Sequence, residues 1–515
     1  MLDLLTSGLS VVFAPKMFIL IIFAVFLGTL FGALPGVSAT MAVTLGIPFT
    51  YKMDAVSAIA FLVAIYCASI TGGGMTAILF KIPGVPSSAP TTYDGYPMAQ
   101  RGEAGKALGV QLIASAIGGM FAAVCMLIFS PQLTQAALSF GPSELFAISF
   151  MGLSILTSLE EGNVCRTIIS GLLGLLLACI GLDPLLGVPR LTFGTRFLTS
   201  GIEMIPVMIG FFAVTEVLKQ TNKPSKLKAV TGKDGKADMS AKMPTLKEMW
   251  SLKGVIARCS ILGTVIGILP GAGATIASFL CYSEEQKISK HPEKFGTGCL
   301  EGIAAAESSN NAVVGSAMIP LLTLGIPGDG VTALLLGAFV LHGIQPGPTM
   351  FTKQGVMAYT IIIGCLVANI LLAPFGLGMT RLVAKIVQVR YTYLAPVIIM
   401  FCFAGAFAAT GNTKELIICA GILIFSYILT VLDIDNTPLM LGMILEDIME
   451  QNFVTASMSY DRNYSIFITR PISAVILIIT VVLLVSMIRV NRRVAKLNEQ
   501  QEAQMAAEHA KMENA

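Results

Sequence analysis

The chain has 515 residues, 55% of them hydrophobic and 12% charged, with a mean hydropathy of +0.80; soluble domains carry roughly 45–50% apolar and about 25% charged residues. That balance excludes a water-soluble fold. The net charge of +3 is too small, and the basic residues too confined to loops, for a nucleic-acid partner.

A bilayer core about 30 Å thick takes about 20 residues of helix per crossing. Lys16 precedes an apolar run at 17–34 that is too long for a signal peptide and has no A-x-A site, so it predicts a retained first span. Further runs fall near 54–70, 107–129, 143–158, 164–182, 201–218, 254–270, 354–374, 393–410, 415–432 and 471–488. Shorter pieces near 72–82, 311–326, 331–343 and 437–449 predict re-entrant hairpins or half-helices. The expected fold is all-α integral membrane, with about 10–14 spanning or re-entrant segments. Fifty Gly and 24 Pro predict that many are interrupted, which membranes tolerate where buried neighbours re-satisfy the backbone.

The polar segment Lys219 to Lys253 holds nine Lys and is expected in the cytoplasm, as is the tail opening with Arg489, Arg492 and Arg493. The chain accordingly divides into a first membrane half (1–218), a basic loop (219–253), a second membrane half (254–488) and a polar tail (489–515). The halves resemble each other. GALPGVSATMA at 32–42 matches GILPGAGATIA at 267–277 at seven of eleven positions. Ile82-Pro83-Gly84 echoes Ile326-Pro327-Gly328, although TLGIP at 44–48 equals TLGIP at 323–327 in a different register. Duplicated halves with Gly/Pro-broken segments at matching places point to a secondary transporter, with inverted repeats and a site at their interface. A channel would need a filter or charged ring, and no HExxH, GxSxG or Walker A pattern indicates an enzyme.

The breaks suggest how an anion is held. In each, Pro ends a span and small residues present backbone N–H groups at the start of the next helix. Gly36, Ser38 and Thr40 in the first break, and Gly271, Gly273 and Thr275 in the second, are candidate substrate-binding residues. Asn310 and Asn311 join them, because amides inside an apolar neighbourhood are costly unless they face a cavity or one another. Thr71, Gly72 and Gly73, within a Gly-rich break that includes Gly74, and Glu307, Ser308 and Ser309 are candidate cation ligands. Stretches 34–42, 71–78, 269–279 and 306–328 hold no Lys or Arg, so Lys81 is assigned to a mouth. Asp94 reads as a loop turn. Glu160, Glu161, Asp433, Asp435, Glu446, Asp447 and Glu450 read as mouths or loop ends. The ten Cys are scattered and the three His far apart, so no disulfide, metal or catalytic site is expected.

LPGVSAT at 34–40, TTYDGYPMA at 91–99, LPGAGAT at 269–275, EGIAAAESSNNA at 301–312, LGIPG at 324–328, GIQPGP at 343–348 and PLMLGMIL at 438–445 occur in one order. Together they make the chain similar to the large subunit of tripartite tricarboxylate transporters, across most of its length. Family patterns commonly have Ala where this chain has Ser309. The resemblance implies a multi-pass protein of the bacterial inner membrane, working with a small membrane subunit and a periplasmic solute-binding protein and driven by a cation gradient. No cofactor is expected. Sodium is the expected coupling ion, since the polar run offers mainly neutral oxygens. Importing a dianion against roughly 100 mV costs about 4.6 kcal/mol, so at least two cations must accompany it.

Overall fold

The computed structural model describes residues 2–34, 37–156, 164–183, 187–214, 243–269, 273–386, 395–396, 398–400, 403–404, 407, 413–460, 462–482 and 484–485. Nearly all regular structure is helical. The helices of ten or more residues are α1 (Leu2–Val12), α2 (Pro15–Gly32), α3 (Ala39–Thr50), α4 (Ala55–Phe80), α5 (Thr91–Gln100), α6 (Ala104–Ala137), α7 (Pro142–Leu156) and α8 (Val164–Ala178). Then follow α9 (Lys253–Ile268), α10 (Gly273–Ile288), α11 (Leu300–Leu324), α12 (Gly330–Leu341), α13 (Gly355–Ile386), α14 (Thr413–Val431), α15 (Asn436–Ser459) and α16 (Pro471–Val482). One antiparallel two-residue ladder, Gly181 opposite Arg190 and Leu182 opposite Pro189, departs from an all-helical expectation within the predicted span 164–182.

Among the described residues five helices are long and apolar enough to cross a bilayer: Pro15–Gly32, Ala55–Phe80, Ala104–Ala137, Gly355–Thr380 and Thr413–Val431. Several expected interruptions are absent. The run 54–70 and the piece 72–82 form one continuous helix, α4, so Thr71–Gly74 is not a break. The piece 311–326 belongs mostly to the 25-residue α11, whose polar run Glu307 to Asn311 interrupts its apolar pattern. The piece 437–449 lies inside α15, which places Glu446, Asp447 and Glu450 on a helix instead of at a loop end. Glu284 to Ile288, beyond the apolar run at 254–270, close α10. Only 331–343 is the short helix anticipated, α12.

The chain forms two compact units, residues 1–139 with 202–428 and residues 140–201 with 429–515. In the second, α15 packs along α7 and α8, and the rings of Phe453 and Phe467 stack at 5.2 Å beside Phe146. In the first, α11 is central. It packs against α6 most extensively, then α9 and α10, and also touches α4, α5 and the 3-10 turn Pro86–Ser88.

Within this first unit two stretches are built alike. Helix α2, a break, short α3 and long α4 are matched by α9, a break, α10 and long α11. The packing repeats as well as the order. An added Cβ at Gly28 would lie 2.9 Å from the Cα of Ile65, and one at Gly32 would lie 2.6 Å from the Cα of Ser69. On the other side Gly263 meets Ser309 and Gly267 meets Val313, each 2.9 Å from the partner's Cα. The glycines match at a spacing of 235 residues and the residues they press on at 244.

The helix ends repeat too. Lys81 caps α4 in the left-handed region (φ 58) before Ile82-Pro83-Gly84, and Gly325 caps α11 likewise (φ 72) before Ile326-Pro327-Gly328. Proline stops each helix because it cannot donate the next hydrogen bond. Gly84 then folds back on Gly73, and Gly328 on Ala317, eleven residues earlier in both cases. This settles the register left open by the two TLGIP strings: residues 44–48 run through α3 with Pro48 inside it, whereas 323–327 end α11.

Candidate functional site

Five consecutive polar residues of α11, Glu307 to Asn311, are all fully buried. Buried polar groups need partners, and α11 finds them in two ways. The Ser308 hydroxyl donates to Ala304 O at 2.7 Å and Ser309 to Ala305 O at 2.8 Å, so both turn back onto their own helix. Small residues then let neighbours close on that backbone: Gly118 of α6 lies against the Ser308 carbonyl and Gly263 of α9 against that of Ser309.

The other three side chains reach outward. Asn311 donates to Asn310 Oδ1 at 2.8 Å and to Glu307 O at 3.3 Å, while its Oδ1 accepts from the Thr71 hydroxyl of α4 at 2.9 Å. Asn310 donates over 3.4 Å to Ser87 O. The Glu307 carboxylate accepts three bonds, from Thr91 (2.5 Å) on α5 and from Gln111 (3.1 Å) and Ser115 (3.0 Å) on α6. Gln111 Nε2 also donates to Thr71 O at 2.9 Å. Four helices thus meet in one buried hydrogen-bonded network.

The glycine run of α4 makes this meeting possible by close packing. An added Cβ at Gly72 would lie 2.5 Å from Thr29 O of α2, one at Gly73 would lie 2.5 Å from Val85 Cγ2, and one at Gly74 would lie 2.5 Å from Glu307 Oε1. The Glu307 carboxylate rests directly on the α4 backbone.

The structure therefore brings together Thr71, Glu307, Asn310 and Asn311. The two breaks are described only at their far sides, Gly36 and Gly271 lying outside the described residues. Ser38 caps α3, its hydroxyl accepting from Met41 N at 3.2 Å, and the carbonyl of Thr40 accepts from Thr44. Gly273 opens α10 at φ +63 with open space where a side chain would be, and the carbonyl of Thr275 accepts from Ser278. Among the described residues no hydrogen bond joins Ser38, Thr40 or Thr275 to the Asn pair.

Sequence reasoning missed Thr91, Gln111 and Ser115 as members of the network. The available signal was Gln111 and Ser115 four apart on an otherwise apolar helix, hence on one face. It also passed over Asp329, which caps α12 by accepting from Thr332 N at 2.8 Å and accepts from the hydroxyl of buried Tyr66. Asp94 is not a loop turn. It sits in α5, fully buried, and its Oδ1 accepts the backbone N–H groups of Gly296, Gly298 and Cys299 at 2.8–2.9 Å while Oδ2 accepts from Tyr282. That anchors the loop feeding α11.

Lys81 is exposed, its ammonium 5.6 Å over the Tyr96 ring. In the second unit Arg190 forks onto Glu450 (2.5 and 3.0 Å), and Cys179 Sγ lies 3.4 Å from Glu446, which is buried. Asp433 pairs with Arg166 at the surface, Asp435 caps α15, and Glu160 and Glu161 lie outside the described residues. Among the described residues no group of three or more His, Cys, Asp or Glu could hold a metal ion.

Residues 18–441 match the model of the family described as "Tripartite tricarboxylate transporter TctA family". A protein of Agrobacterium vitis described as "Uncharacterized 52.8 kDa protein in TAR-I ttuC' 3'region" is 36% identical over 489 residues, covering 93% of this chain and 95% of that protein. A second from the same organism, "Uncharacterized protein in TAR-II ttuC' 3'region", is 39% identical over 217 residues, 42% of this chain and 89% of that protein. No solved structure matches.

Proposed function

The chain belongs to the tripartite tricarboxylate transporter TctA family and is a multi-pass membrane component of such a transporter, not an enzyme; from this premise we propose that it imports small di- or tricarboxylates across the bacterial inner membrane by sodium symport. In this reading a periplasmic solute-binding protein captures the substrate and a small membrane subunit completes the assembly. The two similarly built stretches are inverted relative to each other, which sets both breaks at the bilayer midplane.

The observation that carries the reading is the fully buried network on α11, in a region without Lys or Arg. Such a cluster inside a membrane protein is expensive unless it serves transport. Substrate carboxylates are held by the amides of Asn310 and Asn311 and by the backbone N–H groups of the breaks, through Gly36, Ser38 and Thr40 on one side and Gly271, Gly273 and Thr275 on the other. Helix N-termini attract anions without a side-chain cation.

The test is uptake of labelled mono-, di- and tricarboxylates by vesicles containing the complete transporter, with and without an inward sodium gradient. Accumulation above equilibrium that needs sodium and the binding protein is expected. Equilibration without coupling would make the protein a channel, and full saturable uptake by this chain alone would overturn the tripartite reading.

A further inference from the structure

Glu307 presents an imbalance. Its carboxylate is fully buried, and every group bonded to it is a neutral donor: the Thr91 hydroxyl, the Gln111 amide and the Ser115 hydroxyl. Among the described residues it forms no ion pair. The cations on helices around it are engaged elsewhere: Lys106 at the start of α6 pairs with Glu248, Arg258 of α9 pairs with Glu285 of α10, Arg101 at the end of α5 donates to Thr297 O and Gly298 O, and Lys81 at the end of α4 lies over Tyr96. Asp94 on α5 and Asp329 at the start of α12 are carboxylates with donors of their own. A buried ion without a counter-charge is strongly unfavourable, and neutral hydrogen bonds offset only part of that.

In the same network, and on the turn bonded to it, stand buried oxygens with no hydrogen-bond partner. Gln111 is fully buried, and its Nε2 serves both Thr71 O and Glu307 Oε2. Its Oε1, on the same amide, has no hydrogen-bond partner. The Oγ atoms of Ser87 and Ser88, on the turn packed against α11 whose Ser87 carbonyl receives Asn310, are likewise buried and unpartnered. An orphaned buried acceptor is unfavourable, and one on an amide bonded to a carboxylate that lacks a counter-charge points to an electropositive ligand.

We propose that Glu307 and Gln111 Oε1 form the core of a sodium site, the coupling-ion site of the transporter read above, on which the coupling role rests. The ligand atoms are all oxygen, as a hard cation requires. A single carboxylate balances a single positive charge, so the ion is monovalent; a divalent ion would leave a net charge buried. The site is wired to the Asn pair: Asn311 donates to the Glu307 carbonyl, and Gln111 and Asn311 hold opposite ends of Thr71. Sodium beside Glu307 adds positive charge one helical turn from Asn310 and Asn311, where a carboxylate is to be received.

The experiment measures thermal unfolding and radiolabelled sodium binding of the purified full-length protein, without carboxylate, in sodium chloride titrated against choline chloride at constant ionic strength and constant pH. Sodium should bind saturably and raise the unfolding temperature, while choline does neither. Glu307→Gln should abolish both signals, and Gln111→Leu should weaken binding about tenfold or more. If Glu307→Gln fails to fold, Gln111→Leu and Ser115→Ala carry the test. No sodium-specific signal in the wild type, undiminished binding in the variants that fold, or stabilisation that follows pH and not sodium would overturn the site. Because no carboxylate is present, these outcomes leave the carboxylate reading untouched. Sodium binding without carboxylate uptake would instead sink that reading alone.

Discussion

Helices α4 and α11 hold matching places, yet they are furnished differently. Both receive a glycine-lined helix, α2 or α9, and both end in a left-handed cap followed by Ile-Pro-Gly. In the register set by that packing, the places of Glu307, Asn310 and Asn311 on α11 are held on α4 by Val63, Tyr66 and Cys67. One frame thus carries a polar network and the other an apolar and weakly polar face. The frame is fixed by small residues at backbone contacts; the chemistry is added on α11, to which α4 contributes Thr71 and the bare backbone of Gly74.

The comparison breaks most severely if the shared frame is disturbed. Gly32→Val and Gly267→Val each push a side chain into a facing helix, on Ser69 and on Ser316 with Val313 respectively. Where backbone blocks the new atoms, overpacking costs about 1–3 kcal/mol or more. Both variants are therefore expected to lose most folded protein, by size-exclusion of detergent extracts. Survival of one and loss of the other would mean that the two stretches do not share a packing scheme.

A smaller effect sharpens the borrowing across the two stretches. Thr71→Val removes the 2.9 Å bond to Asn311 Oδ1 while nearly preserving volume. The loss of one hydrogen bond, about 1 kcal/mol, should weaken apparent substrate affinity roughly fivefold in vesicle uptake and leave expression unchanged. The place on α11 that matches Thr71 is Gly315, which packs on Ala122. Gly315→Ala should act on folding and not on affinity.

The smallest effect concerns the helical turn Leu246–Ser251, which leads into α9. Lys106 and the Thr245 cap hold the Glu248 carboxyl down at about 2. A depressed carboxyl stabilises the fold above its ordinary value near 4.5 and loses that contribution as pH falls toward 2. The pair is about a third exposed, so its share is below about 1 kcal/mol. Glu248→Gln should lower the unfolding temperature slightly at pH 7 and not at all near pH 2.

Much of this was legible in the chain. Composition gave the membrane class, the string at 32–42 and 267–277 gave the repeated frame, and the run 307–311 stood out because polar side chains are conspicuous in apolar surroundings. Other features were hidden for physical reasons. Gly72, Gly73 and Gly74 read as a break because glycine lowers helix propensity, but a membrane helix with its backbone bonds satisfied internally keeps going and uses the missing side chains for contact. Gln111 and Ser115 are single polar residues on an apolar helix, and only the tertiary meeting with Glu307 reveals their role. Asp94 followed the same logic: its neighbours in sequence suggest a turn, and its partners lie about 200 residues away.

The most direct measurement is carboxylate affinity in vesicle uptake under an inward sodium gradient for matched substitutions: Asn310→Ala and Asn311→Ala on α11, Cys67→Ala at the equivalent place on α4, and Lys81→Ala as the nearest base. Each Asn variant should lose about 1.5–3 kcal/mol, roughly tenfold to over a hundredfold, with Cys67→Ala and Lys81→Ala within about threefold of wild type. Near-normal affinity in both Asn variants, with binding abolished by Lys81→Ala, would place the substrate in a conventional basic pocket and contradict the account.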